Sequence, residues 1–168
     1  MKLFASRGAQ IMIEHAPLEL EHFLPYRLSI LSNTISQEIA RDYQQRFDIS
    51  VTEWRVMAVL ARFESLSARE VAQRTAMDKV AVSRALARLV ESGRVIRRTH
   101  AGDKRKSILR LSARGWKIHA TVAPLARAHE VELLAKLDAQ ERIWLQRILD
   151  KLEASASIAV NARRASDA

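Results

Sequence analysis

At 168 residues, 48% of them hydrophobic and none of them cysteine, the chain can bury one sizeable core but cannot hold a disulfide framework, a thiolate zinc site or a thiol redox centre. Only 4 Gly and 3 Pro leave few tight turns, which favours long helices over a many-stranded sandwich or barrel. The net charge of +9 points to a polyanionic partner, and its placement is uneven: between Arg69 and Arg114 thirteen Lys and Arg face four acids, so the rest of the chain is balanced.

Residues 1–17 lack clear helical periodicity and read as a flexible N-terminal arm, or as an extension upstream of a start nearer Met12. Their apolar centre is too short for a secretory signal, and no run in the chain approaches the roughly 20 apolar residues that cross a bilayer. The expectation is a cytoplasmic protein that makes no membrane contact. Residues 18–154 are expected to form a single domain, followed by a frayed tail over 155–168 that is small and polar.

From Leu18 to Arg46, Leu24, Leu28, Leu31, Ile35 and Ile39 recur at spacings of three or four, which predicts a long helix with Pro25 tolerable only near its beginning. Ser50 and Glu53 form a capping box that opens a second helix through Trp54, Met57 and Leu60 to about Glu64. Ser67 and Glu70 repeat the device for a short third helix ending between Thr75 and Met77. Asp78 is an N-cap for a fourth helix, and Gly93 is placed to close it in the left-handed conformation. Val95 to Thr99 and Ser107 to Leu111 are β-rich runs joined through Ala101, Gly102, Asp103 and Lys104, a hairpin with a basic tip. Ser112 caps a fifth helix through Val122, Leu125, His129, Leu133 and Leu137, kinked or split by Pro124. Asp138 and Glu141 cap a sixth helix carrying Ile143, Trp144, Ile148, Leu149 and Leu152.

The fold class is therefore mainly α with a small β-hairpin wing: a winged helix-turn-helix over residues 50–112, flanked by N- and C-terminal amphipathic helices over 18–46 and 113–154. On the fourth helix, Val82, Leu86, Leu89 and Val90 share the inward side. Val80, Ala81, Arg84 and Arg88 fall opposite, with Lys79 at the helix start and Ser83 on the flank. Small residues near the N-terminus let a backbone sit deep in a major groove, Val80 suits a thymine methyl, and two arginines one turn apart reach guanine edges or phosphates. Lys104, Arg105 and Lys106 on the wing suit phosphate or minor-groove contact. A carboxylate repels DNA, so Asp103 is expected to hold Arg105 or cap the turn. The plainer reading of these cations, solvated charge on a soluble surface, is weakened by the way they gather on adjacent elements.

The run Asp103, Lys104, Arg105, Leu109, Leu111, Ser112 and Gly115 resembles the D-x-R…L-x-L-[ST]-x-x-G signature of the multiple-antibiotic-resistance-regulator (MarR) family, and the stretch from Asp78 to Gly93 and the six-helix layout resemble it from about Phe23 to Leu152. The resemblance implies a homodimer whose first, fifth and sixth helices interlock as dimerisation helices. It also implies binding to double-stranded DNA at a near-palindromic operator, with release by a small anionic or aromatic effector. Relatives that sense oxidants use a cysteine absent here, and the five scattered histidines do not reproduce the clusters of zinc-sensing relatives, so no metal and no cofactor are expected.

In that family the effector pocket lies between the first, second and fifth helices. Arg27, on the apolar stretch PYRLSIL, is then a candidate anchor for an anion, with Tyr26, Trp54, Phe63 and His119 as candidate aromatic walls. A surface or inter-subunit ion pair is the competing reading of Arg27, and ordinary core packing that of the aromatics. The opening of the first helix is similar to that of regulators of aromatic-acid or hydroxycinnamoyl-CoA catabolism, which implies an aromatic carboxylate or its CoA thioester. Enzymatic function is not expected, because no glycine-rich phosphate loop, metal-spaced cluster or nucleophile constellation is present. The alternative function is a ligand-independent architectural DNA-binding protein, since phosphate charge alone accounts for a basic segment.

Overall fold

The computed structural model describes residues 17–100 and 103–166, so most of the expected N-terminal arm lies outside the described residues. Its elements, in order, are α1 (Leu24–Phe47), α2 (Val51–Arg62), α3 (Ala68–Thr75), α4 (Lys79–Glu91), β1 (Val95–His100), β2 (Asp103–Leu111), α5 (Ala113–Leu134) and α6 (Ala139–Ser166). This is the mainly α architecture with one antiparallel hairpin that the sequence predicts. No helix among the described residues is long and apolar enough to cross a membrane.

The chain divides within α1, at Gln37 and Glu38, into two units. In the first, α1 begins at Leu24, six residues later than the expected start at Leu18, after a turn in which the His22 and Phe23 amides donate to Glu19 and Leu20. Proline sets this boundary: its ring clashes with the carbonyl four residues earlier, so Pro25 has to lie in the first turn.

In the second unit, local capping chemistry fixes the helix starts, that of α5 through the Ser112 hydroxyl, which accepts from the Gly115 amide. Ser50 with Glu53 and Ser67 with Glu70 are complete capping boxes, the Asp78 carboxylate accepts from the Val80 and Ala81 amides, and Asp138 with Glu141 exchange two bonds at the start of α6. Gly93 closes α4 with φ 68°, and the bonds from the Gly93 amide to Val90 and the Arg94 amide to Leu89 complete a Schellman motif.

The core lies between α2, α3, α4, the wing strands and the start of α5. Val56, Met57, Val71, Val82, Leu86, Leu89, Leu109 and Val122 are all essentially inaccessible. Each such side chain contributes about 1.5–3 kcal/mol by leaving water. The hairpin is tied to this core as well as to itself, because the Leu109 amide donates to the Leu66 carbonyl in the α2–α3 connection.

Two further expectations are corrected. Helix α5 ends at Leu134 instead of continuing to Leu137, and it carries Pro124 without being split. The tail expected to fray after Ser155 continues as helix to Ser166. Its alanine-rich run contains no proline or glycine, and alanine propensity outweighs the low apolar content that suggested fraying.

Candidate nucleic-acid interface

Helix α4 is built as a two-faced rod. Val82, Ala85, Leu86 and Leu89 are buried against α2 and α3, whereas Lys79, Val80, Ser83 and Arg84 are exposed and Ala81 is half-buried. Asp78 consumes the free amides at the helix start, so it serves α4 internally. The outward face offers an apolar methyl surface at Val80, 56% exposed, and an exposed guanidinium at Arg84, the set of groups a major groove accepts.

The other arginine placed on this face is engaged. Arg88 is exposed, but its Nε lies 3.3 Å from Oε1 of Glu53 in the first turn of α2. That 35-residue sequence separation could not be read from helical spacing.

Residues that the sequence reading passed over extend the surface. Arg69, Gln73, Ala76 and Lys79 line a groove of about 540 Å³ beside α3, and Ala68, Lys79, Val82 and Ser83 line an adjoining groove of about 310 Å³. Arg69 was findable, since Ser67 as N-cap puts it in the first turn of α3, where the helix dipole and its own charge both favour an anion. Arg97, Arg98 and Arg110 add exposed cations on the wing strands. Lys104, Arg105 and Lys106 fall on β2, and their side chains, with that of Asp103, lie outside the described ones.

The wing is locked to the end of α4 through backbone atoms. The Ser112 hydroxyl contacts the Gly93 and Arg94 carbonyls, its amide donates to the Arg94 carbonyl at 3.0 Å, and the Gly115 amide donates to the hydroxyl. A Cβ on Gly115 would lie 2.2 Å from the Arg94 carbonyl oxygen, so the close approach requires glycine. Arg94 itself is buried, and its guanidinium donates to the carbonyls of Phe47 and Asp48 where α1 ends, satisfying acceptors the helix leaves free.

Of the candidate effector residues, two come together. The Trp54 and His119 rings stack at 5.5 Å, with Tyr43 5.8 Å from Trp54 and Trp116 5.6 Å from His119. Burial, and secondarily the charge of Arg127, holds the His119 imidazolium below its ordinary range. Burial also pushes the Tyr43 hydroxyl up to about 12, against a smaller opposing effect of Arg55.

Phe63 is not part of this cluster. It sits nine residues beyond Trp54, about 13 Å along α2, where its ring packs under the Arg74 guanidinium at 3.9 Å. Tyr26 and Arg27 belong to the first unit and are exposed on α1. The stripe expected to bury Leu24, Leu28 and Leu31 around Arg27 leaves all three more than 40% exposed within one chain. No group of three His, Asp or Glu among the described residues is placed to hold a metal ion.

Residues 47–106 match the MarR family. The chain is 25% identical over 122 residues to the transcriptional regulator HosA of Escherichia coli O127:H6, covering 73% of this chain and 90% of HosA. It superposes on a MarR/EmrR family transcriptional regulator from Acinetobacter sp. ADP1 with a TM-score of 0.75 at 26% identity, over 83% of this chain and 99% of the other. A cysteine-to-serine mutant of MarR from E. coli, solved in complex with operator DNA, superposes with a TM-score of 0.68 at 25% identity, over 82% and 99% of the two chains.

Proposed function

Since this chain is a MarR-family winged helix-turn-helix transcriptional regulator and not an enzyme, we propose that it represses transcription as a homodimer bound to a near-palindromic operator in double-stranded DNA. The observation that carries the reading is the outward face of α4. Lys79, Val80, Ser83 and Arg84 are exposed on a helix whose opposite side is fully buried, so base-reading groups stand on a rigid support. Arg69 and Lys79 beside their groove, and the basic wing strands, suit the phosphates on either side.

Dimerisation is supported by the exposed apolar residues of α5 and α6, including Leu133, Ile143, Trp144 and Ile148. Two recognition helices related by a dyad enter successive major grooves roughly 34 Å apart, giving half-sites about ten base pairs apart. Sedimentation at micromolar concentration and footprinting test this together. The expected result is a species of twice 19 kDa with paired protected half-sites. A 19 kDa species with a single short footprint overturns it. Equal affinity for operator and random duplex instead favours the architectural reading.

Release is by a small anionic aromatic effector, such as an aromatic carboxylate or its CoA thioester. The stacked Trp54 and His119, with Trp116 at the edge, offer π-faces for such a ligand. Arg27, an exposed cation, is the candidate anchor that a second subunit or the ligand would cover. Coupling is reciprocal, so ligand weakens operator binding by the same factor that operator weakens ligand binding. Arg27→Ala is expected to keep dimerisation and operator affinity and lose the response. Normal ligand binding by that variant in calorimetry removes Arg27 from the site.

A further inference from the structure

The two arginines on α4 stand one turn apart, and the structure gives them different surroundings. Arg84 is exposed on the outward face. Arg88 turns its Nε toward Oε1 of Glu53 at 3.3 Å. The Glu53 side chain is only 1% exposed, while that of Arg88 is 61% exposed. Glu53 uses its second oxygen, Oε2, to accept the Ser50 amide at 2.7 Å in the α2 capping box. Its Oε1 accepts no hydrogen bond among the described residues. A carboxylate in that position depends on a nearby cation, because burying an unpaired charge is among the costliest things a fold can do.

We propose that Arg88 is a positioning residue. Its guanidinium is committed to the buried Glu53 carboxylate, and that pairing seats the C-terminal half of α4 on the first turn of α2, setting the angle at which Lys79, Val80, Ser83 and Arg84 meet DNA. The inference rests on the DNA-binding reading above and divides its arginines: Arg84 meets the duplex, and Arg88 holds the helix that carries it.

The asymmetry of burial makes the idea testable by suppression. Arg88→Ala strands a buried carboxylate. Glu53→Gln leaves Arg88 free in solvent and retains the capping box, since glutamine serves at that position as well as glutamate. The double variant buries a neutral glutamine with no charge left to strand. All four proteins are measured as full-length chains by urea unfolding and by titration with operator and random duplex over a range of salt.

The expected result is that Arg88→Ala lowers operator affinity about tenfold, Glu53→Gln changes it less than about twofold, and the double variant returns to within about threefold of wild type. The salt slope on either duplex is the same for all four, because no phosphate contact has been removed. A merely supportive side chain would not be rescued by neutralising Glu53.

An equal loss for Arg88→Ala and the double variant, with the salt slope reduced by about one on both duplexes, overturns the proposal and makes Arg88 a phosphate contact. No loss in Arg88→Ala overturns it too. If wild type binds neither duplex, the DNA reading is what fails. The unfolding cycle then decides the pairing: restoration of the Arg88→Ala midpoint by Glu53→Gln upholds it, and additive losses refute it.

Discussion

The recognition helix α4 and the last helix α6 carry apolar residues at the same helical period, yet they end in opposite states. On α4, Val82, Ala85, Leu86 and Leu89 are at most 5% exposed, whereas on α6, Ile143, Trp144 and Ile148 are more than 50% exposed. The difference separates a region that completes its own core from one whose apolar residues stay exposed within one chain, the face the proposed dimer would cover. Exposed apolar residues at helical spacing suit an interface, in line with the proposed dimer. Periodicity therefore specifies that a face will be covered, and only the packing of neighbouring elements decides by what.

The largest effect is expected where the winged module closes on itself. Gly115→Ala pushes a methyl into the Arg94 carbonyl, so equilibrium unfolding should show a loss of about 3 kcal/mol that does not depend on protein concentration. A loss below about 0.5 kcal/mol would mean that the α4–wing junction yields easily.

A charge placed on α6 tests the other side of the contrast. Ile148→Asp should leave the module folded by circular dichroism while shifting sedimentation from dimer to monomer. Loss of fold in that variant would show that α6 belongs to the same core. Arg84→Ala, on the free face of α4, should cost about 1–3 kcal/mol on operator DNA and relax base preference, with folding unchanged. Equal weakening on random duplex would reduce Arg84 to a phosphate contact.

The smallest effect is a pH dependence in the aromatic cluster. The folded-state pKa of His119 is lowered by burial, so the unfolded chain takes up the proton first. Stability should be level above the usual value of 6.5 and decline as the pH falls from there toward the folded-state value. His119→Gln should flatten that decline in pH-resolved unfolding curves. At the other extreme Tyr43, with its hydroxyl at about 12 against the usual 10.0, makes stability fall as pH rises through that interval.

Much of this molecule is readable from the chain because its chemistry is local. The capping pairs at Ser50, Ser67 and Asp138 span three residues, and Gly93 follows its helix directly, so their bonds are predictable without knowing the fold. The two-sidedness of α4 is equally local.

What escaped depends on distant partners. The Leu66 bridge to the wing joins residues 43 apart in number, and nothing in the loop composition announces it. From the sequence Arg88 reads as a DNA-contacting arginine beside Arg84 and Arg94 as one more member of a basic segment, although one faces a buried carboxylate and the other is itself buried against the end of α1. Phe63 and Trp54 share an aromatic character, but the length of α2 separates them. The helical course of the tail rests on alanine propensity, which its low hydrophobicity masks.

The clasp formed by Arg94 and Ser112 has a consequence for how such a sequence can drift. Both side chains take hold of main-chain carbonyls, Arg94 those of Phe47 and Asp48 and Ser112 those of Gly93 and Arg94, so the side chains of Phe47 and Asp48 take no part in these bonds. Phe47 can change identity as long as its backbone keeps its course, whereas Asp48 and Gly93 are restricted by positive φ and the two donors by the bonds they make. A saturation library across this junction should therefore be lopsided. Position 47 should accept many residues within its packing limits, position 48 chiefly those that tolerate its φ of 48°, and positions 94 and 112 very few.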